Sequence, residues 1–148
     1  MKTYLTRTIA TGLLGLAGAA LAAPADDSGR KLSAALTGAA EVPGPGDTDG
    51  TGAFEARVNA GQGQICYKLE ADNIVTATMA HIHRGAVGVA GGVAVALAAP
   101  ADGSSEECKT ITKELAQELI QTPEEFYVNV HNSAHPAGAV RGQLAKGS

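Results

Sequence analysis

Two consecutive stretches of this chain alternate apolar and polar residues with period two, a pattern that fits a half-buried β-hairpin and little else. Thr51–Asn59 places Phe54, Ala56 and Val58 on one face and Glu55 and Arg57 on the other. Residues 64–71 repeat the pattern, with Ile65, Tyr67 and Leu69 inward and Lys68 and Glu70 outward. Ala60-Gly61-Gln62-Gly63 supplies a hairpin-type loop between them. Residues 32–36, 76–83, 93–97, 126–131 and 139–144 are further short strands, rich in apolar and β-branched side chains. Residues 41–47 hold two prolines without donors and two turn-forming glycines, so they cannot continue a ladder. Residues 85–92 read as a loose glycine-rich loop. Residues 112–121 form the one helix, with Thr112 as its cap and Leu115 and Leu119 one turn apart. Pro123 ends it. The pattern predicts an all-β fold: an antiparallel immunoglobulin-like or Greek-key β-sandwich with one short helix.

The start of the chain has a different character. Lys2 and Arg7 precede an apolar run over 9–21, which closes on Ala20-Leu21-Ala22. This is the grammar of a cleavable signal peptide over 1–22. The run falls short of the roughly 20 apolar residues that span a bilayer, so no membrane span is expected after cleavage. A short polar leader over 23–31 and a domain over 32–148 follow, with a periplasmic or secreted destination. The whole chain carries a net charge of -4, and loss of Lys2 and Arg7 would take the mature part to -6. That acidity, with no Lys/Arg cluster, excludes nucleic acid as a partner. The chain has no Trp and few aromatic rings, which leaves no stacking platform. No protein partner can be named from the sequence.

Cys66 and Cys108 are the only cysteines, and in an exported chain such a pair reads as one disulfide. Cys66 shares the parity of Lys68 and Glu70, so the bond is expected to tie down a segment lying over that outer face. All four histidines fall in two short motifs, His81-Ile82-His83 and His131-Asn132-Ser133-Ala134-His135. On a strand, residues two apart project from one face with Cα atoms about 6.6–6.8 Å apart. His81, His83, His131 and His135 are therefore the candidate metal ligands, suited to copper or zinc, and Met79 shares the parity that could add a thioether. The alternative is that the histidines only brace the fold through backbone carbonyls. Arg84 and Arg141 are either clamps of that kind or anion-binding groups beside the histidines. Ser133 lies near two histidines, but no Gly-x-Ser-x-Gly elbow or oriented acid accompanies it. The 85–92 loop lacks the order of a dinucleotide-binding glycine motif.

Four segments together resemble the CHRD domain, first named for its occurrence in chordin. They are Ala80-His81-Ile82-His83-Arg84-Gly85, the ending from Phe126-Tyr127-Val128-Asn129-Val130-His131 to Arg141-Gly142-Gln143-Leu144, the start Leu36-Thr37-Gly38-Ala39-Ala40-Glu41-Val42-Pro43, and Cys66-Tyr67. The resemblance covers about residues 31–145 and implies an immunoglobulin-like sandwich outside the cytoplasm. A fainter similarity runs to copper/zinc superoxide dismutase, where His81 and His83 match the two copper ligands of a His-x-His strand. Its zinc-site and bridging ligands have no counterpart, since Asp102 is the only aspartate between Arg84 and His131. The expectation is an exported, non-enzymatic CHRD-domain module that binds copper or zinc through clustered histidines. Its rivals are a superoxide dismutase-like copper enzyme and an envelope or extracellular interaction module without metal.

Overall fold

The alternation over 51–71 folds as its periodicity requires. In a computed structural model, which describes residues 29–148, strand β2 (Thr51–Asn59) pairs antiparallel with β3 (Gln64–Asp72) from Thr51↔Asp72 to Asn59↔Gln64. The expected signal peptide, and all of the leader before Gly29, lie outside the described residues. Strand β1 (Arg30–Thr37) begins two residues earlier than its apolar pattern suggests, because Arg30 and Lys31 extend the ladder to Val58 and Arg57. The other expected strands are β4 (Ala77–Arg84), β5 (Val93–Leu97), β7 (Phe126–Asn132) and β8 (Val140–Gln143). Helix α1 spans Lys113–Gln121, and the Thr112 hydroxyl accepts a hydrogen bond from the Leu115 amide at 3.1 Å, satisfying an otherwise orphaned donor.

Two strands carry no periodic signal. Strand β6 (Ser104–Thr110) reads Ser-Ser-Glu-Glu-Cys-Lys-Thr, polar on both parities, and pairs only with β3 at the edge of the sheet. Strand β9 (Ala145–Lys146) is a two-residue addition to β1. The disulfide is accordingly placed differently from the expectation. Cys66 and Cys108 are directly opposed in the β3–β6 ladder, with Cα atoms 3.9 Å apart. The bond lies between neighbouring strands of one sheet rather than over its face.

All nine strands share one antiparallel sheet, in the order β5-β4-β7-β8-β1-β2-β3-β6, with β9 beside β1. The sheet is nearly closed. The Tyr67 hydroxyl accepts from the Ala98 amide at 2.8 Å, and the Ser105 hydroxyl donates to the Ala98 carbonyl at 2.8 Å, so side chains draw the β5 end towards β3 and β6. Phe54, Ile65, Leu69, Ile82, Leu119, Val128 and Val130 are wholly buried inside, each worth about 1.5–3 kcal/mol of apolar transfer. Strand β7 departs from alternation: all seven of its residues are buried. Its inner parity fills the core, and its outer parity lies beneath the loops that build the candidate site.

Candidate metal centre

The β4–β7 ladder sets the positions. Its register pairs Met79 with His131, His81 with Asn129 and His83 with Tyr127, all on one face. The intervening pairs, Ala80 with Val130 and Ile82 with Val128, face the core. Three imidazoles thus meet on the outer face. One ring nitrogen from each of His81, His83 and His131 lies within 4.8 Å of the other two. His81 Nδ1 is 3.3 Å from His131 Nε2. Two ligands of a tetrahedral ion with bonds of about 2.1 Å sit roughly 3.4 Å apart, so this pair already has the spacing and His83, within 4.8 Å, needs to close by at most about 1.4 Å.

The outer nitrogens fix the inner ones. His83 Nδ1 lies 2.9 Å from the Gly91 carbonyl, and His131 Nδ1 lies 3.1 Å from the Pro136 carbonyl. A carbonyl only accepts, so both rings carry their proton on Nδ1 and leave Nε2 a bare lone pair, which on His131 faces His81. His83 Nε2 is buried without a hydrogen-bond partner. An imidazole whose far N–H is held by a carbonyl is the outer-shell arrangement that orients metal ligands. His131 Nε2, being bare, accepts a hydrogen bond from His81 Nδ1.

The electrostatics agree. Burial lowers the pKa of His81, and repulsion from His131 and His83 lowers it further. Burial likewise lowers His83, with the Gly91 carbonyl acting in the opposite sense and Arg141 adding to the fall. His131 is lowered by burial too, against the pull of the Pro136 carbonyl. Neutral imidazole is the form that ligates metals.

Two loops hold this geometry. The 85–92 loop is not loose. Arg141 donates to the carbonyls of Ala86 at 3.1 Å and Val89 at 2.9 Å, Gln143 donates to Gly85 at 2.8 Å, and the Gly91 amide donates to the Tyr127 hydroxyl at 3.1 Å. Gly91 is required there, since a Cβ would fall 1.5 Å from the Arg84 carbonyl oxygen. The turn after β7 closes through the His135 amide, which donates to Asn132 Oδ1 at 2.7 Å, and this brings the Pro136 carbonyl over His131.

A family model of the CHRD domain matches residues 32–144. The chain belongs to the CHRD-domain family. Searches of curated proteins and of solved structures return no significant match.

Within this CHRD domain the remaining expected site residues separate. His135 is not in the cluster: its Nε2 lies 3.8 Å from Asp47 Oδ2, tying the turn to the 41–47 loop. Strand parity does not govern a side chain in a turn, and the turn directs this one away. Arg84 pairs with Glu118 of α1 and lies over the Phe126 ring, so it fastens helix to sheet rather than facing the histidines. Arg141 does lie beside them. Its guanidinium carbon is 3.5 Å from the centre of the Tyr127 ring, whose other partner is His83, stacked at 4.8 Å. It is only 2% exposed, and its two carbonyl bonds make it a clamp of the loop. The CHRD domain also buries Glu41, whose carboxylate accepts from Asn129 Nδ2 at 2.5 Å. Burial pushes the Glu41 pKa up to about 7, against the pull of Arg141 and the hydrogen bonds. Gly138 makes room for this pair, since a Cβ there would fall 2.4 Å from Glu41 Oε2. Sequence reasoning assigned no role to Glu41, Tyr127 or Asn129. Asn129 and Tyr127 do share the parity of His131, which was the available signal.

Proposed function

We propose that this CHRD-domain protein is an exported module that binds one transition-metal ion, copper or zinc, through His81, His83 and His131. Family membership supports a module rather than an enzyme. Export accounts for the basic, apolar and small-residue segments of the first 22 residues, and the Cys66–Cys108 disulfide fits an oxidising compartment. Among the described residues no helix is long and apolar enough to cross a membrane. The immunoglobulin-like reading also stands as part of this proposal. The β5-β4-β7-β8 and β1-β2-β3-β6 halves of the sheet join through one registered pair, Thr37↔Arg141, and would form the two leaves of a sandwich.

The observation that carries the metal reading is the orphaned His83 Nε2, on a ring clustered with two other imidazoles while its own Nδ1 is held by a carbonyl. A histidine that merely braced the fold would need only that carbonyl bond. Bound metal would replace the missing partner and supply a fixed positive charge at the loop edge.

Calorimetric titration of the metal-stripped chain with Zn(II) and Cu(II) tests this. The expected result is one equivalent bound, with His83→Ala weakening binding about 100-fold or more while the variant still folds. Absence of binding by the folded wild type would make the histidines structural braces.

A further inference from the structure

The chain contains two methionines, and one of them is Met1. The other, Met79, is not in the core, where a flexible thioether ordinarily fills gaps. It is 49% exposed on β4, two residues before His81 and directly opposite His131 in the ladder. Period two places its side chain on the histidine face, beside the solvent-facing side of the cluster.

The donor set around it is uncharged. Among the described residues no carboxylate or thiolate joins the three imidazoles, and both cysteines are locked in the disulfide. Arg141, a buried cation, stacks on the same tyrosine as His83. Its repulsion of a bound ion doubles from a monovalent to a divalent charge. Glu41 offsets this only in part, because its proton is held up to about pH 7. Imidazole donors suit copper and zinc alike, so the available thioether and the neighbouring cation are what favour a soft monovalent ion over a divalent one.

We infer that the site is selective for Cu(I), with Met79 as a fourth, sulfur ligand that closes the three-histidine cluster on its solvent side. The inference rests on the three-histidine reading. Met79 then acts as the determinant of which ion is held, while the histidines determine whether any is held.

The test compares the wild type with Met79→Leu, a substitution of similar volume at a half-exposed position. Cu(I) affinity is measured anaerobically by competition with a chromophoric chelator, and Zn(II) affinity by the same method with a zinc chelator. Met79→Leu should weaken Cu(I) about 10- to 100-fold and leave Zn(II) within about threefold. X-ray absorption of the Cu(I)-loaded wild type should show one sulfur neighbour, and its loss in Met79→Leu would assign that sulfur to Met79. Unchanged Cu(I) affinity with no sulfur neighbour would overturn the Met79 assignment and leave the histidine site intact. Equal weakening of both ions would also overturn it, by showing a structural effect. Failure of the wild type to bind either ion would remove both the assignment and the site beneath it.

Discussion

The two halves of the sheet treat their outer faces in opposite ways. On β2, β3 and β6 the outward side chains meet water: Glu55, Lys68 and Glu106 are exposed, and Lys68 pairs with Glu70 at the surface. On β4, β7 and β8 the corresponding face is roofed by the 85–92 loop, the 133–138 turn and the 41–47 loop, and Tyr127, Asn129, His131 and Arg141 are buried. Among the described residues, the three buried side-chain polar atoms without a partner lie in this second half, on His83, Asn129 and Arg141. Burying polar groups imperfectly costs free energy that a merely structural sheet avoids. The first half presents an ordinary solvated face, whereas the second sustains the cost of buried polar groups, of which the proposed metal would offset the His83 part.

The largest effect should come from the first half. Replacing both Cys66 and Cys108 by Ser frees a loop with a sequence separation of 42. The expected loss is roughly 3–4 kcal/mol, read by denaturant unfolding, with no change in metal affinity at temperatures where the variant is folded. A simultaneous loss of metal binding would show that the two halves are not independent.

The next effect belongs to Glu41. An ordinary glutamate titrates near 4.5, whereas burial holds this one up to about 7. The folded state thus keeps the proton more tightly than the unfolded chain. The stabilisation from that proton is full below pH 4.5 and is lost as pH rises through about 7. Between those limits the wild type should lose on the order of 2–3 kcal/mol relative to Glu41→Gln, which has no proton to lose. Parallel stability curves for the two proteins would mean that Glu41 titrates normally.

Arg84→Ala should have the smallest effect. It removes an exposed ion pair with Glu118 and a stacking contact with Phe126, and should cost no more than about 1 kcal/mol in thermal unfolding. Metal titration of this variant should match the wild type. A weakened metal site would return Arg84 to the neighbourhood of the histidines.

The contrast between the halves also explains what could be read from the sequence. Period two marked the β2–β3 hairpin and aligned His81 with His83, because alternation on a strand fixes both burial and direction. It set the face of His131 through the parity shared with Asn129, while the β4–β7 pairing that brings His131 to the same site came from the fold. It did not reveal β6, whose Ser and Glu residues leave neither face apolar. It could not orient His135, which sits in a turn, nor distinguish Arg84 from Arg141, whose partners lie on distant segments. Glu41 lies in a loop where periodicity has no meaning, and only the folded chain brings it against Asn129, 88 positions away.

Histidine tautomers test the central claim, that loop carbonyls preset two of three clustered imidazoles for one ion. Long-range proton–nitrogen NMR of the metal-free protein above the depressed imidazole pKa values reads them directly. His83 and His131 should both be protonated on Nδ1, with unprotonated Nε2 signals that shift together with one nitrogen of His81 and stop moving at one equivalent of Zn(II). Protonation on Nε2 in either ring, or spectra unmoved by one equivalent, would contradict the account.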